Sequence, residues 1–390
     1  MLFRSVLHKG LSMIIIDTRA CMYPNCFENN VKSHAISRSI SLESIAEDSH
    51  LYSFLPRQNS KDTKKPYFKR ISTNKATRHY CFCDTHEEEF KTLDDYEISE
   101  TKGVLLQVYR SLCVAFAQER TALIDIYKLN DTESYKEIGV EAAEEFLKAN
   151  GHETLIPRLK ELKVLEIVQR KMLFLLSESV DEKCVAFKNL ALQVKLRSDS
   201  IGSKKIPYNE LQTISFELFD HTIFYYKADF QIPVALNTIQ HCCVDSSEVK
   251  IYYSVTPYEK STVIIGMIPN SLLSDQIIVD KINDYFSSEY KVIKYVESIM
   301  SISDGWFIKE SVLKNMTKEK EETFLTDCMF LNERKPFQDY DLSIFDKLKI
   351  EKFGIAPDDQ ELVSIPKRPP YDIRYTKMLE AMGLARDDQA

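Results

Sequence analysis

The chain has 390 residues, 44% of them hydrophobic and 28% charged, with a net charge of −8 and only 9 glycines and 13 prolines. That is material for a sizeable core and two or three domains, and it excludes a low-complexity, collagen-like or loop-built protein. No apolar run approaches the roughly 18 to 20 residues that cross a bilayer, so no membrane partner is expected.

Taken in order, the chain opens with a short apolar patch, residues 11–16, which Lys9 and Asp17 bracket and which has no small-residue cleavage site after it. Nine cysteines, an odd count, fit a reducing compartment in which some bind metal and the rest are buried thiols. A cytoplasmic location is the expectation. A short strand near residues 14–16 leads into Cys21-Met-Tyr-Pro-Asn-Cys26, where Pro24-Asn25 supplies a tight turn. Far along the chain comes Cys83-Asp-Thr-His86. Such short spacings let each pair converge on one tetrahedral zinc at about 2.0–2.3 Å, so Cys21, Cys26, Cys83 and His86 are the expected ligands of one structural zinc ion. Cys81, two residues before Cys83, leaves that assignment open.

Between the two pairs, residues 31–40 suggest a strand, residues 39–46 one or two helical turns, residues 56–66 a loop, and residues 67–82 strand again. The window 31–80 holds ten basic residues against four acidic ones, a local charge of +6 on an acidic chain. Arg38, Lys61, Lys64, Lys65, Lys69 and Arg70 are its candidates for gripping a phosphate backbone, which makes nucleic acid the expected partner. Thr85-His-Glu-Glu-Glu-Phe-Lys begins a helix whose acidic first turn suits the helix dipole. Knuckle, strands, then a helix carrying the last ligands is the order of a treble clef.

Residues 98–200 read as helix almost throughout. Apolar residues recur at steps of three and four over 104–127, then in candidates at 140–149 (stopped by Asn150-Gly151), 155–176 and 181–197. They suggest a bundle or hairpin, long enough near 104–176 to suit a homodimer. After a linker at 201–207 the texture turns β-rich in runs at 212–226, 232–239, 249–255 and 261–268, and residues 272–332 return to helix. The predicted fold is α+β in four parts: a zinc-finger domain with a basic insert at 1–97, a helical region at 98–200, a mixed domain with a small antiparallel sheet at 201–365, and a tail at 366–390. Cys113 and Cys184 on apolar helix faces, and Cys242-Cys243 at a strand end, read as core thiols. No phosphate loop or dinucleotide fingerprint is present.

Ser33-His34 follows the knuckle by eight residues. With the two ligand pairs it makes residues 15–95 resemble the HNH, or ββα-metal, endonucleases built on a treble clef. The resemblance implies that His34 is the general base, that Glu87, directly after the last zinc ligand, helps hold a catalytic Mg²⁺ or Mn²⁺ ion, and that Asn74 stands for the middle Asn of the motif. Two departures stand out. Ser33 occupies the place of the usual Asp, and the spacing of Asn74 from Cys83 is loose. The function so implied is cutting DNA or RNA phosphodiesters, in a setting such as a bacterial antiviral defence effector. The alternative is a non-catalytic zinc-finger protein that binds nucleic acid or a protein partner through its basic insert and helical scaffold.

Overall fold

The computed structural model describes residues 21–55, 67–131, 148, 182, 184–186, 188–216, 220–244 and 247–381. It is a mixed α+β structure with an antiparallel sheet. Four short strands open it, β1 (Lys32–His34), β2 (His50–Leu55), β3 (Tyr67–Ser72) and β4 (Arg78–Tyr80), followed by a one-turn helix α1 (Asp84–Glu87) and the long α2 (Thr101–Asp131). Five strands follow: β5 (Gln212–Ser215), β6 (His221–Ala228), β7 (Val234–Val244), β8 (Ser247–Pro257) and β9 (Thr262–Pro269). Then come α3 (Gln276–Tyr285), α4 (Glu289–Met300), β10 (Trp306–Ile308), α5 (Lys318–Asp327), α6 (Asp346–Phe353) and α7 (Tyr371–Ala381). Two compact units share these elements. The first lies within Met1–Ser33, His79–Glu89 and Leu112–Arg197, the second within His34–Arg78, Phe90–Ser111 and Ser198–Ala390.

In the second unit the sheet is larger than its local signals suggest. Eight strands run in the order β3-β2-β10-β7-β8-β9-β6-β5, and every pairing is antiparallel. The run expected at 212–226 folds back on itself, with Gln212 opposite Tyr225 and Ser215 opposite Thr222. Side chains alternate across the pleat. Ile251, Tyr253 and Val255 of β8 enter one core with Val292, Ile293, Val296 and Ile299 of α4, while Tyr252 faces the other way and donates to Ser111 Oγ at 3.0 Å. Burying each of these large aliphatic or aromatic side chains contributes roughly 1.5–3 kcal/mol. Caps set the helix starts: Asp275 accepts from Ile277 N at 2.9 Å before α3, and Ser288 from Lys291 N at 3.3 Å before α4.

The helical reading of 272–332 needs one correction, because β10 interrupts it. Trp306 and Ile308 are fully buried, with β7 on one side and Tyr52 of β2 opposite Ile308 on the other. The strand expected over 31–40 is β1 alone, and from Arg38 to Ile45 the chain coils in helical turns. The expected strand near 14–16, the loop at 56–66 and the helices at 140–149 and 155–176 lie outside the described residues, whereas 188–200 is helical as expected. Among the described residues, no helix is long and apolar enough to cross a membrane.

Candidate metal centre and the His34 cluster

In the first unit the knuckle is shaped before any metal is considered. Asn25 sits at φ 61°, a left-handed conformation that Asn tolerates, so the chain reverses between Cys21 and Cys26 where the Pro-Asn pair predicts it. Met22 N donates to the Cys81 carbonyl at 2.7 Å and Val31 N to the Phe82 carbonyl at 2.6 Å, which lays the knuckle along the segment entering α1. Cys83 is the residue at which α1 begins and His86 lies three positions on, on the same face of that turn.

The four predicted ligands converge. Their ligand atoms, the thiols of Cys21, Cys26 and Cys83 and a ring nitrogen of His86, all lie within 4.8 Å of one another. Two sulfurs at about 2.3 Å from a tetrahedral zinc stand roughly 3.8 Å apart, and a sulfur and an imidazole nitrogen roughly 3.5 Å. The structure gives 3.8 Å for Cys26 Sγ to Cys83 Sγ, 3.5 Å for Cys21 Sγ to His86 Nδ1, and 3.2 Å for Cys83 Sγ to His86 Nδ1. The set therefore could hold a metal ion such as zinc, with Cys83 rather than Cys81 as the third sulfur. Burial pushes the Cys21 thiol up to about 12 and raises that of Cys83, a cost that a dication bound to sulfur removes by displacing the proton. Backbone N–H groups of Tyr23 and Cys83 point at Cys21 Sγ from 3.4 and 3.3 Å. Tyr23 stacks on the His86 ring at 3.7 Å and 8°, and carries Lys195 Nζ 5.4 Å above its own ring; Lys195 pairs with Glu89 at 3.3 Å. Sequence reasoning missed Tyr23 and Lys195, although an aromatic residue inside the knuckle is a usable signal.

Glu87 lies in the same unit, and its carboxylate accepts a hydrogen bond from the buried Ser33 hydroxyl. Two positions 54 residues apart in the chain are thereby brought side by side. The second unit carries His34. Its ring is half-buried, and Nε2 is shielded from solvent with no protein hydrogen-bond partner. Burial first, then the charges of Arg110 and Arg38, hold its pKa below the ordinary histidine value, which keeps the imidazole neutral. Hydrogen bonds knit this cluster. Gln107 Nε2 donates to the Ala35 carbonyl at 2.7 Å, Arg110 grips both carboxylate oxygens of Asp94 at 2.8 and 3.1 Å, and Ser39 Oγ donates to the Asp94 carbonyl at 2.6 Å.

No family model, curated protein or solved structure matches this chain. Its site is accordingly described by its own geometry alone. Among the other predicted residues, the Asn74 side chain accepts from Arg38 Nη1. Lys69 and Arg70 lie on β3, the edge strand of the large sheet, and Arg70 faces Asp48 at 3.8 Å and Glu310 at 3.9 Å. Lys61, Lys64 and Lys65 lie outside the described residues.

Proposed function

We propose that this chain is a metal-dependent nuclease: a treble-clef finger holds a structural zinc ion at Cys21, Cys26, Cys83 and His86, and His34 is the general base for phosphodiester hydrolysis. The observation that carries the reading is the state of His34, a half-buried ring that burial and neighbouring arginines hold neutral and whose Nε2 has no protein partner. Nε2 is one of several buried side-chain polar atoms without a hydrogen bond, and what singles it out is its place at the position that the resemblance gives to the general base. A neutral imidazole offers a lone pair that can take a proton from water. Nε2 is covered in this conformation, so base action requires a side-chain movement that uncovers it.

Further support comes from Glu87, the position that the resemblance gives to the catalytic ion, whose carboxylate accepts from the buried Ser33 hydroxyl. A carboxylate suits Mg²⁺ or Mn²⁺, which keeps several waters and takes further oxygens from substrate phosphates. When bound, that ion would supply charge neutralisation at the scissile phosphate. The second reading, a zinc finger that binds nucleic acid or protein without cutting, is favoured by one observation: the metal ligand set is complete without His34.

The test is a cleavage assay on plasmid, single-stranded DNA and RNA with Mg²⁺ or Mn²⁺, comparing the wild-type chain with His34→Ala and measuring zinc in both. Activity lost in the variant at an unchanged one zinc per chain supports catalysis by His34. If neither protein cuts while both hold zinc, the binding reading replaces it.

A further inference from the structure

Two guanidiniums meet at Asn74: Arg38 Nη1 donates to its side-chain oxygen, and Arg78 Nη1 reaches its carbonyl at 3.5 Å. Neither guanidinium forms an ion pair among the described residues, and Arg38 is exposed. Arg110 next to them is different: it is buried, and both arms of its fork are spent on Asp94. Asp94 is thus occupied, while Arg38, whose charge acts on the His34 ring, and Arg78 have no ion-pair partner among the described residues. A guanidinium carries five N–H donors in a planar fork matched to phosphate oxygens, and using one of them on Asn74 fixes its plane while the others stay open.

We propose that Arg38 and Arg78, held by Asn74, form a two-guanidinium clamp that grips a nucleic-acid backbone phosphate beside His34. The clamp rests on the nuclease reading for its place in catalysis, and Asn74 is its positioning residue. This gives Asn74 a role in binding that differs from general electrostatic attraction by the basic insert, and it separates Arg38 from Lys69 and Arg70 on β3.

The test measures binding of a fluorescent oligonucleotide, single-stranded and duplex, by the full wild-type chain with Ca²⁺ in place of Mg²⁺ or Mn²⁺, over a series of salt concentrations. Under these conditions Arg38→Ala and Arg78→Ala are each expected to weaken binding roughly tenfold. Each should also reduce the slope of log affinity against log salt by about one, the signature of one lost phosphate contact. Arg38→Lys should keep the slope while losing part of the affinity, because it retains charge without the fork, and it guards against misfolding of the alanine variant. Asn74→Ala should weaken binding by less than Arg38→Ala with the slope unchanged. Alanine variants of Arg38 and Arg78 that bind with parental affinity and slope would overturn the clamp, as would a loss confined to Lys69→Ala and Arg70→Ala, or no measurable binding by the wild-type chain. Binding that depends on both arginines in a protein that cuts nothing leaves the clamp standing and removes the nuclease reading; cleavage by a wild type whose binding ignores both arginines does the reverse.

Discussion

Cys81 and Cys83 are two residues apart and both buried, yet only one faces the other ligands. The Cys81 carbonyl is spent on Met22 N in the strand-like approach, whereas Cys83 opens α1 and shares its first turn with His86. Zinc content measured after metal-free dialysis and reloading is therefore expected to fall from one per chain to none in Cys83→Ser and to stay at one in Cys81→Ser. The ligand pairs were legible because short spacings within a knuckle and a helical turn constrain geometry locally, and the Pro24-Asn25 turn was legible for the same reason. The meeting of Ser33 with Glu87, and of Arg38 with Asn74, was not: these contacts depend on how separate stretches pair, which residue type and spacing do not record. His34 yields a second prediction. Its folded pKa is depressed, so the neutral base persists to lower pH than in a free histidine, and activity should fall only as pH drops through a value below 6.5. Arg38→Gln removes one of the charges responsible and should move that acid limb upward in a profile of kcat/KM against pH. The same shift affects stability. Just below pH 6.5 the unfolded chain takes up a proton that the folded ring refuses, so stability rises with pH across that window; half-buried His221 shifts in the same direction and adds to it.

At the scale of elements, β10 shows where periodicity gives out. It has only Trp306, Phe307 and Ile308, too few residues to display alternation, and it lies between helical stretches. It nevertheless joins β2 to β7, so without it the other seven strands would fall into two groups. The long runs of β6 to β9 were readable because each holds eight or more residues of β-branched and aromatic character. Gly305 is what lets β10 approach β7: Asn237 N donates to its carbonyl at 3.0 Å, and a Cβ at this position would lie 2.4 Å from the Asn237 oxygen. Backbone cannot swing aside as a side-chain end does. Gly305→Ala is expected to cost about 3 kcal/mol in urea-induced unfolding, at the upper end of overpacking penalties, while Gly202→Ala, with nothing within 4 Å of the added methyl, should stay within about 0.5 kcal/mol of wild type. The buried Lys349–Glu297 pair, 2.9 Å apart and almost fully shielded, ties α6 to α4. Lys349→Met should cost about 3–5 kcal/mol because it leaves the buried carboxylate without its counter-charge, and adding Glu297→Leu should not recover the loss, since Glu297 Oε1 also accepts from Ile344 N at 2.7 Å and Phe345 N at 3.0 Å.

For the whole molecule, the two units differ in what holds each together. The second has its own continuous core, from Phe54 through Trp306 to Phe345, and no metal cluster was found in it among the described residues. The four residues that could hold a metal all belong to the first, whose knuckle and one-turn α1 are too short to be stable by themselves. Zinc bound by such a set contributes about 10–16 kcal/mol of folding free energy in small fingers, as much as the total stability of an ordinary domain. Removing the metal should therefore unfold the first unit at temperatures where the second survives, and unfolding ceases to be a single two-state step. The protein carries its own reporter for this. Trp306 is its one tryptophan and sits in the core of the second unit, stacked on Phe324 at 5.5 Å. On treatment with a zinc chelator, helical circular dichroism should lose amplitude early, since residues 112–131 and 188–197 of the first unit are helical, while the midpoint of the Trp306 fluorescence transition moves by no more than about 2 °C. If the fluorescence midpoint instead falls together with the helical signal, the metal stabilises both units as one cooperative structure, and the second unit's core is insufficient without the first.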